Sequence, residues 1–272
     1  MSPPDSVNPP DSYPVTNVNK VKRVHDRGRY DKETIHAILD AALVCHIAYV
    51  IDGRPYCTPT GFWREGSHLY WHGSSASRMI RNQKEGVDVC LTVTHLDSLV
   101  MARSGFHHSV NYRAVMAFGK AHVIDDPEEK LKLMDRFIDR IYPGRSKLIR
   151  QPNKQEFKAT TMIGMEMEMV SGKIRDKHVA DEEEDYEGVP AWSALYPVTQ
   201  VIGEPSRPSK VTPDRSTGSL GSGEGSPSPR AISAVDSTAA SEQSLRVKRR
   251  LVTSVGLVFL ALSACGSQDC QT

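Results

Sequence analysis

No C-x-x-C pair occurs in the 272 residues, and the five cysteines, Cys45, Cys57, Cys90, Cys265 and Cys270, are scattered. That spacing excludes zinc ribbons and thioredoxin-like redox motifs and points to a reduced, cytosolic-type protein. An excess of one charge is missing too: 34 basic side chains stand against 33 acidic ones, a net charge of +1. Bulk attraction to nucleic acid or to an anionic membrane is therefore not indicated. There is no G-x-G-x-x-G or Walker segment, which removes a Rossmann dinucleotide site and a nucleotide hydrolase. Long apolar runs are absent near Met1, so no secretory signal is expected.

What is present divides the chain. Residues 1–19 carry five prolines without hydrophobic periodicity and read as a disordered leader. In residues 203–244, 21 of 42 are Gly, Pro or Ser, and no aromatic side chain is there to seed a core, so 203–250 reads as a disordered tail. The remaining segment, 20–202, is expected to be one domain. It holds all ten histidines, all three tryptophans and eight of the nine tyrosines, so any chemistry belongs there. At the far end Lys248-Arg249-Arg250 precedes an apolar run, Leu251 to Ala264, and then Cys265. That run falls short of the about 20 residues a membrane span needs. It resembles a lipoprotein export signal at the wrong terminus, and three readings stay open: an extension without a defined role, a tail anchor, or a docking amphipath.

Within the domain, Asp31 followed by Ile35, Ile38, Leu39 and Ala42 predicts a capped helix over 31–42. Runs at 43–50, 56–64, 68–72, 87–94, 98–103 and 112–124 are short, β-branched and aromatic, with turns at Asp52-Gly53 and Glu65-Gly66, and predict strands and two hairpins. Asp126-Pro127-Glu128-Glu129 opens a helix whose Leu131, Met134, Phe137, Ile138 and Ile141 share a face. A last strand over 161–169 alternates Ile163, Met165, Met167 and Met169 with Gly164, Glu166 and Glu168, and its methionines are read as core rather than as a metal site. Six or seven antiparallel strands with few helices make the fold mainly β (α+β), a barrel rather than a doubly wound sheet.

The stretch Trp71-His72-Gly73-Ser74-Ser75-Ala76-Ser77-Arg78-Met79-Ile80-Arg81 reads as a strand stopping at a small-residue turn that opens an arginine-bearing helix. Hydroxyl and backbone donors there, with a guanidinium fork beside them, suit a phosphate; Ser and Gly also cap helices that bind nothing. That turn, together with Pro59-Thr60-Gly61-Phe62-Trp63-Arg64, the run from Arg103 through Phe106-His107-His108 to Tyr112-Arg113, Ser171-Gly172-Lys173-Ile174-Arg175 and Pro190-Ala191-Trp192, resembles the flavin-nucleotide-binding branch of the pyridoxamine 5'-phosphate oxidase-like superfamily, which includes nitroimidazole-resistance proteins. The resemblance spans about residues 28–200.

The resemblance implies a dimeric split β-barrel holding FMN between subunits. It places Ser77 and Arg78 on the phosphate and Thr60, Gly61 and Phe62 along the isoalloxazine ring. Arg64 ends that strand, His72 and Gly73 end the next, Tyr112 and Arg113 form a second wall, and Trp192 is a late aromatic near the ring. Two departures stand out. Met79 replaces a lysine found after the Ser-Arg pair in the vitamin oxidases, with Arg81 one turn on as compensation, and no C-terminal Arg-x-x-Pro ending is present. His72 and His108 are the candidate proton donors, since reducing a nitro group or quinone consumes protons. Adjacent His107 and His108, read as strand residues, do not ligate one metal together. A haem role would need one of these histidines as axial ligand. Cys57 and Cys90 are expected to be buried rather than nucleophilic, and the acidic run 181–185 is expected to be solvated. The function implied is a soluble FMN-dependent oxidoreductase passing electrons from a nicotinamide nucleotide to a small oxidised acceptor, without metal, nucleic-acid or membrane partners. A non-catalytic flavin or haem binder and a pyridoxamine phosphate oxidase are the alternatives.

Overall fold

The computed structural model describes residues 11–84, 86–204 and 206. The chain divides into two units, 1–232 and 233–272, and all described residues lie in the first. The expected tail beyond 206 and the apolar segment 251–272 lie outside the described residues. In chain order the elements are β1 (Gly28–Arg29), α1 (Lys32–Asp40), β2 (Val44–Ile51), β3 (Arg54–Glu65), β4 (His68–Ser74), α2 (Arg78–Gln83), β5 (Val87–Met101), β6 (Ser109–Val123), α3 (Pro127–Ile141), α4 (Lys154–Ala159), β7 (Thr160–Glu166), β8 (Met169–Arg175), α5 (Glu183–Gly188) and β9 (Ala194–Pro197).

The strands form one antiparallel sheet in the order β1-β8-β6-β7-β4-β3-β2-β5-β9, and an added β5–β6 pairing closes it into a ring that branches at β6. This is the mainly β, split-barrel-like architecture that the short-strand pattern predicts. Inward residues alternate along each strand: Cys45, Ile47 and Tyr49 of β2, Val89, Leu91 and Val93 of β5, and Leu69 and Trp71 of β4 fill the interior. Ile35, Ile38 and Leu39 of α1 join that core, and the helix starts where Asp31 accepts from the Thr34 backbone N–H at 2.8 Å. α3, capped by Asp126 as its sequence predicts, lays Leu133, Met134 and Phe137 over Trp63, Tyr70 and Met162 to make a second, smaller core outside the barrel.

Four expectations are corrected. The runs 87–94 and 98–103 are one strand, β5, with its register shifted between Leu96 and Ser98 rather than a break. The run 161–169 stops at Glu166 and resumes as β8, because Met167 and Glu168 turn their N–H groups to the carbonyls of Ser67 and Phe118. Gly119 faces that break, and a Cβ there would sit 2.2 Å from the Glu166 carbonyl oxygen, so the crossing is open only to glycine. The methionines are core, as read: Met165 and Met167 are buried in the barrel.

The leader is shorter than expected. Tyr13 is 4% exposed in the main core, its hydroxyl 2.9 Å from His36 Nε2, and Asn19 donates to the carbonyls of Pro14 and Val170. Proline and polarity are what a flexible segment and a docked strap have in common, and two anchoring side chains make the difference here. Finally, Cys57 is exposed and Cys90 half-buried, while among the described cysteines only Cys45 is buried. The β2–β3 and β2–β5 registers set Cys57, Ala48 and Cys90 in one row on the outer face of the sheet. That face is apolar but uncovered: Val44, Val50, Leu96 and Met116 are each 43–57% exposed. Among the described residues no helix is long and apolar enough to cross a membrane.

Candidate functional site

β4 ends at a turn where α2 packs close against the strand. A Cβ on Gly73 would lie 3.0 Å from Ile80 Cγ1, so a larger residue there would push the Ile80 side chain aside. Ser77 caps that helix, its Oγ accepting from the Ile80 N–H at 3.2 Å, which leaves its own proton free to donate. Ser75 ties the turn to the neighbouring strand through Thr161 Oγ1 at 2.7 Å. From the inner side Trp71 Nε1 donates to the buried Gln83 side chain at 3.0 Å, and Met79 and Ile80 sit in the main core. The unit β4–turn–α2 is thus fixed at both ends.

Its outer side carries the charge. Arg78, Arg81 and Asn82, at helical i, i+3, i+4 spacing, line a cavity of about 440 Å³ with Ile51 and Ala76. The Arg78 guanidinium lies 4.3 Å over the Tyr56 ring, which stacks on Tyr49, and Arg81 donates to the Ala76 carbonyl at 2.5 Å. Among the described residues neither arginine has a carboxylate partner. Two uncompensated guanidiniums lining one cavity, with the Ser77 hydroxyl in the residue before Arg78, fit a phosphate. Met79, in the position of the oxidases' lysine, is buried and adds nothing to that charge.

His72 is the second uncommitted group. Its ring meets Phe137 edge-on at 4.5 Å, and extending the Phe62–Trp71 register by one residue sets Gly61 opposite it. His72 Nδ1 is buried without a hydrogen-bond partner, alone in this among the described histidines. Burial holds its pKa below the ordinary 6.5, so the ring is a neutral imidazole at pH 7.

The other expected residues are placed differently. Phe62 is buried in the core with its side chain turned away from any pocket, and Thr60 is half-buried on the same strand. Arg64 is spent: its guanidinium is paired bidentately with Asp40 and donates to the Gly66 carbonyl, so it offers nothing to a ligand. Arg113 is likewise paired with Asp97 at 2.8–3.2 Å. Tyr112 pairs across to Leu96 and Arg175, and Trp192 is 58% exposed before β9; neither lines the Arg78 cavity within one chain. His107 and His108 belong to a turn, not to a strand: His107 meets Glu182 at 3.1 Å, and exposed His108 meets the Ser104 carbonyl at 2.8 Å.

The acidic run is not wholly solvated. Asp181 accepts from the Arg103 backbone N–H at 2.7 Å and its guanidinium at 2.9 Å, while Arg103 also reaches Ser193 Oγ and covers the Tyr186 ring. This latch holds the late segment carrying α5 and Trp192 onto the turn before β6. Burial pushes the Asp181 carboxyl up, but hydrogen bonds from Arg103 and Ser193 outweigh it and hold it below the ordinary 3.8. Its contribution to stability is therefore present above that value and lost as pH falls through the lower folded one. Asp181→Asn is expected to lower the thermal midpoint at pH 7 and to flatten its fall between pH 5 and 3; a variant that melts like the parent throughout would mean the latch holds nothing.

A family model described as pyridoxamine 5'-phosphate oxidase matches residues 31–174. The chain belongs to the pyridoxamine 5'-phosphate oxidase-like superfamily. Among solved structures, the flavocytochrome Anf3 from Azotobacter vinelandii is 38% identical, with a TM-score of 0.69 over 73% of this chain and 92% of its own. The FAD and heme binding protein from Mycobacterium smegmatis is 31% identical, with a TM-score of 0.65 over 70% of this chain and 92% of its own. No curated protein matches. Sequence reasoning found His72, Ser77, Arg78 and Arg81 from one motif, but missed Tyr56, Ile51 and Asn82. Asn82 was within reach, since it follows Arg78 by one helical turn, whereas Tyr56 and Ile51 arrive from a hairpin that only the register positions.

Proposed function

We propose that this member of the superfamily is a redox protein that binds a flavin nucleotide and haem and works as a homodimer in a reducing compartment. One observation carries the reading: a single strand–turn–helix unit presents both an anion-ready cavity, lined by Arg78, Arg81 and Asn82, and a neutral imidazole, His72, whose Nδ1 is buried and uncommitted. Two relatives above 30% identity, one described as a flavocytochrome and one as an FAD and heme binding protein, support flavin with haem over flavin alone, and the second supports FAD over FMN. The dimer is supported by the uncovered apolar side chains Val44, Val50 and Leu96 on β2 and β5.

In this reading Arg78 and Arg81 hold the phosphate and Ser77 donates its hydroxyl proton to it. At Gly61, opposite His72, the strand is covered by the Phe137 ring that also meets His72, so the chain presents an aromatic face there rather than open backbone. His72 offers a nitrogen lone pair to iron, kept unprotonated by its burial, while Phe137 and the second core keep water from that face. Bound flavin would accept a hydride's two electrons from a nicotinamide nucleotide, and bound haem would pass electrons singly to a small oxidised acceptor.

Absorbance spectra of the purified full-length chain, before and after adding FAD, FMN or haemin and desalting, test this. Retained flavin absorbance together with a Soret band, both bleaching on anaerobic addition of NADPH or NADH, is expected. A chain that keeps neither chromophore overturns the reading, and one that keeps both without reduction is a non-catalytic binder.

A further inference from the structure

The balanced net charge hides a local excess. Residues 20–29 hold Lys20, Lys22, Arg23, Arg27 and Arg29 against the single acid Asp26, and Asp26 is paired with Lys177. The segment carrying the first three is pinned in place. Asn19, 3% exposed, bonds Pro14 and Val170; the Val21 N–H donates to the Tyr30 hydroxyl at 2.8 Å; and Val24 holds a left-handed backbone, φ 54°, that a β-branched residue adopts only when its surroundings impose it. Between this strap and the outer face of β6 and β8 lies a groove of about 220 Å³. Lys20, Lys22, Arg23 and Lys173 line it over a floor of Met116 and Phe118. Among the described residues none of the four cations has an ion-pair partner.

We propose that this groove is a second ligand site, which takes the diphosphate and base of a nucleotide. Three unpaired cations on a preorganised strap, with Lys173 of β8 opposite, supply charge-assisted donors to phosphate oxygens. The thioether and aromatic floor beneath them gives a planar base something to lie on. The groove shares no residue with the Arg78 cavity. It is independent of the flavin reading and stands if that reading fails. The ADP unit has two sources, a free nucleotide or the distal half of a dinucleotide bound elsewhere in the dimer, and both present the same chemistry.

Calorimetric titration of ADP into the full-length chain, as purified and after loading with FMN or FAD, tests the site. ADP is expected to bind, and adenosine to bind at least ten-fold more weakly. The Lys22→Ala/Arg23→Ala double variant is expected to weaken ADP at least ten-fold while keeping the parent's thermal midpoint and FMN retention, both side chains being exposed. Should that double variant unfold, Lys22→Gln and Arg23→Gln carry the same comparison singly. Arg78→Ala is expected to leave ADP affinity unchanged. Exclusion of ADP by FAD but not by FMN assigns the groove to the distal half of the flavin; ADP binding to both loaded forms assigns it to a free nucleotide. Unchanged affinity in the strap variants, loss of ADP binding in Arg78→Ala, or no ADP binding to the purified and FMN-loaded chain each overturns the proposal.

Discussion

His72→Ala is expected to abolish haem retention, removing the Soret band, while flavin absorbance and fold survive. The reason lies in what each histidine is already doing. His36 is engaged with the Tyr13 hydroxyl, His95 with the Ile38 carbonyl, His107 with Glu182 and His108 with the Ser104 carbonyl. His72 alone among the described histidines keeps a buried nitrogen without a partner, beside the aromatic rings of Phe137 and the second core. An unmade hydrogen bond on a buried polar atom costs about 1–3 kcal/mol, and a site that binds something through that ring is one way such a cost persists. Removing the ring relieves that cost and leaves a void, so the net stability change should stay within about 2 kcal/mol. His108→Ala, at an exposed turn, is the control and should leave both chromophores. The pH dependence has a definite sign: because burial holds His72 below 6.5, haem retention should be full at pH 7 and be lost only as the pH falls through that lowered value, at lower pH than for a solvent-exposed histidine ligand. A Soret band that survives His72→Ala but disappears in His108→Ala would move the axial ligand to the turn and sink this assignment.

How far the sequence went depended on whether the deciding contact was local. α1 and α3 were legible because Asp31 and Asp126 carry their caps within three residues of the helix start. The β4–α2 turn was legible for the same reason, since Gly73, Ser77 and Arg78 act within one short stretch. Arg64 was misjudged because its partner, Asp40, is 24 residues away on α1, and nothing in the run Pro59 to Arg64 signals that the guanidinium is already spent. Asp181 looked like one more solvated acid in a row of five, yet Arg103, 78 residues upstream, singles it out. The break between β7 and β8 follows from Gly119, a residue that fits any strand pattern until its backbone meets Glu166. Tyr13 joined the core from inside a proline-rich stretch where composition spoke for disorder. Tyr112 and Trp192 lie away from the Arg78 cavity within the chain, which no local pattern around them signals.

Arg78→Ala is expected to weaken flavin binding by about 1.5–3 kcal/mol, roughly 10- to 100-fold in Kd, the range for losing a hydrogen bond to a charged group. The size of the effect rests on what surrounds the guanidinium. It has no carboxylate partner among the described residues, so it enters a complex with its charge uncompensated, and the Tyr56 ring 4.3 Å beneath it fixes its plane toward the cavity. Arg81 already gives one donor to the Ala76 carbonyl, so Arg81→Ala should cost less than Arg78→Ala. Arg78→Lys should fall between parent and alanine, because lysine keeps the charge but loses the fork and the stacking. The fold should be almost indifferent: Arg78 is exposed, and α2 is held from the other side by Met79, Ile80 and the Trp71–Gln83 hydrogen bond. Fluorescence titration of flavin into each variant reads the three affinities directly. Equal affinities across the series would mean that the phosphate lies elsewhere and that the cavity beneath α2 is only the space between a helix and a hairpin.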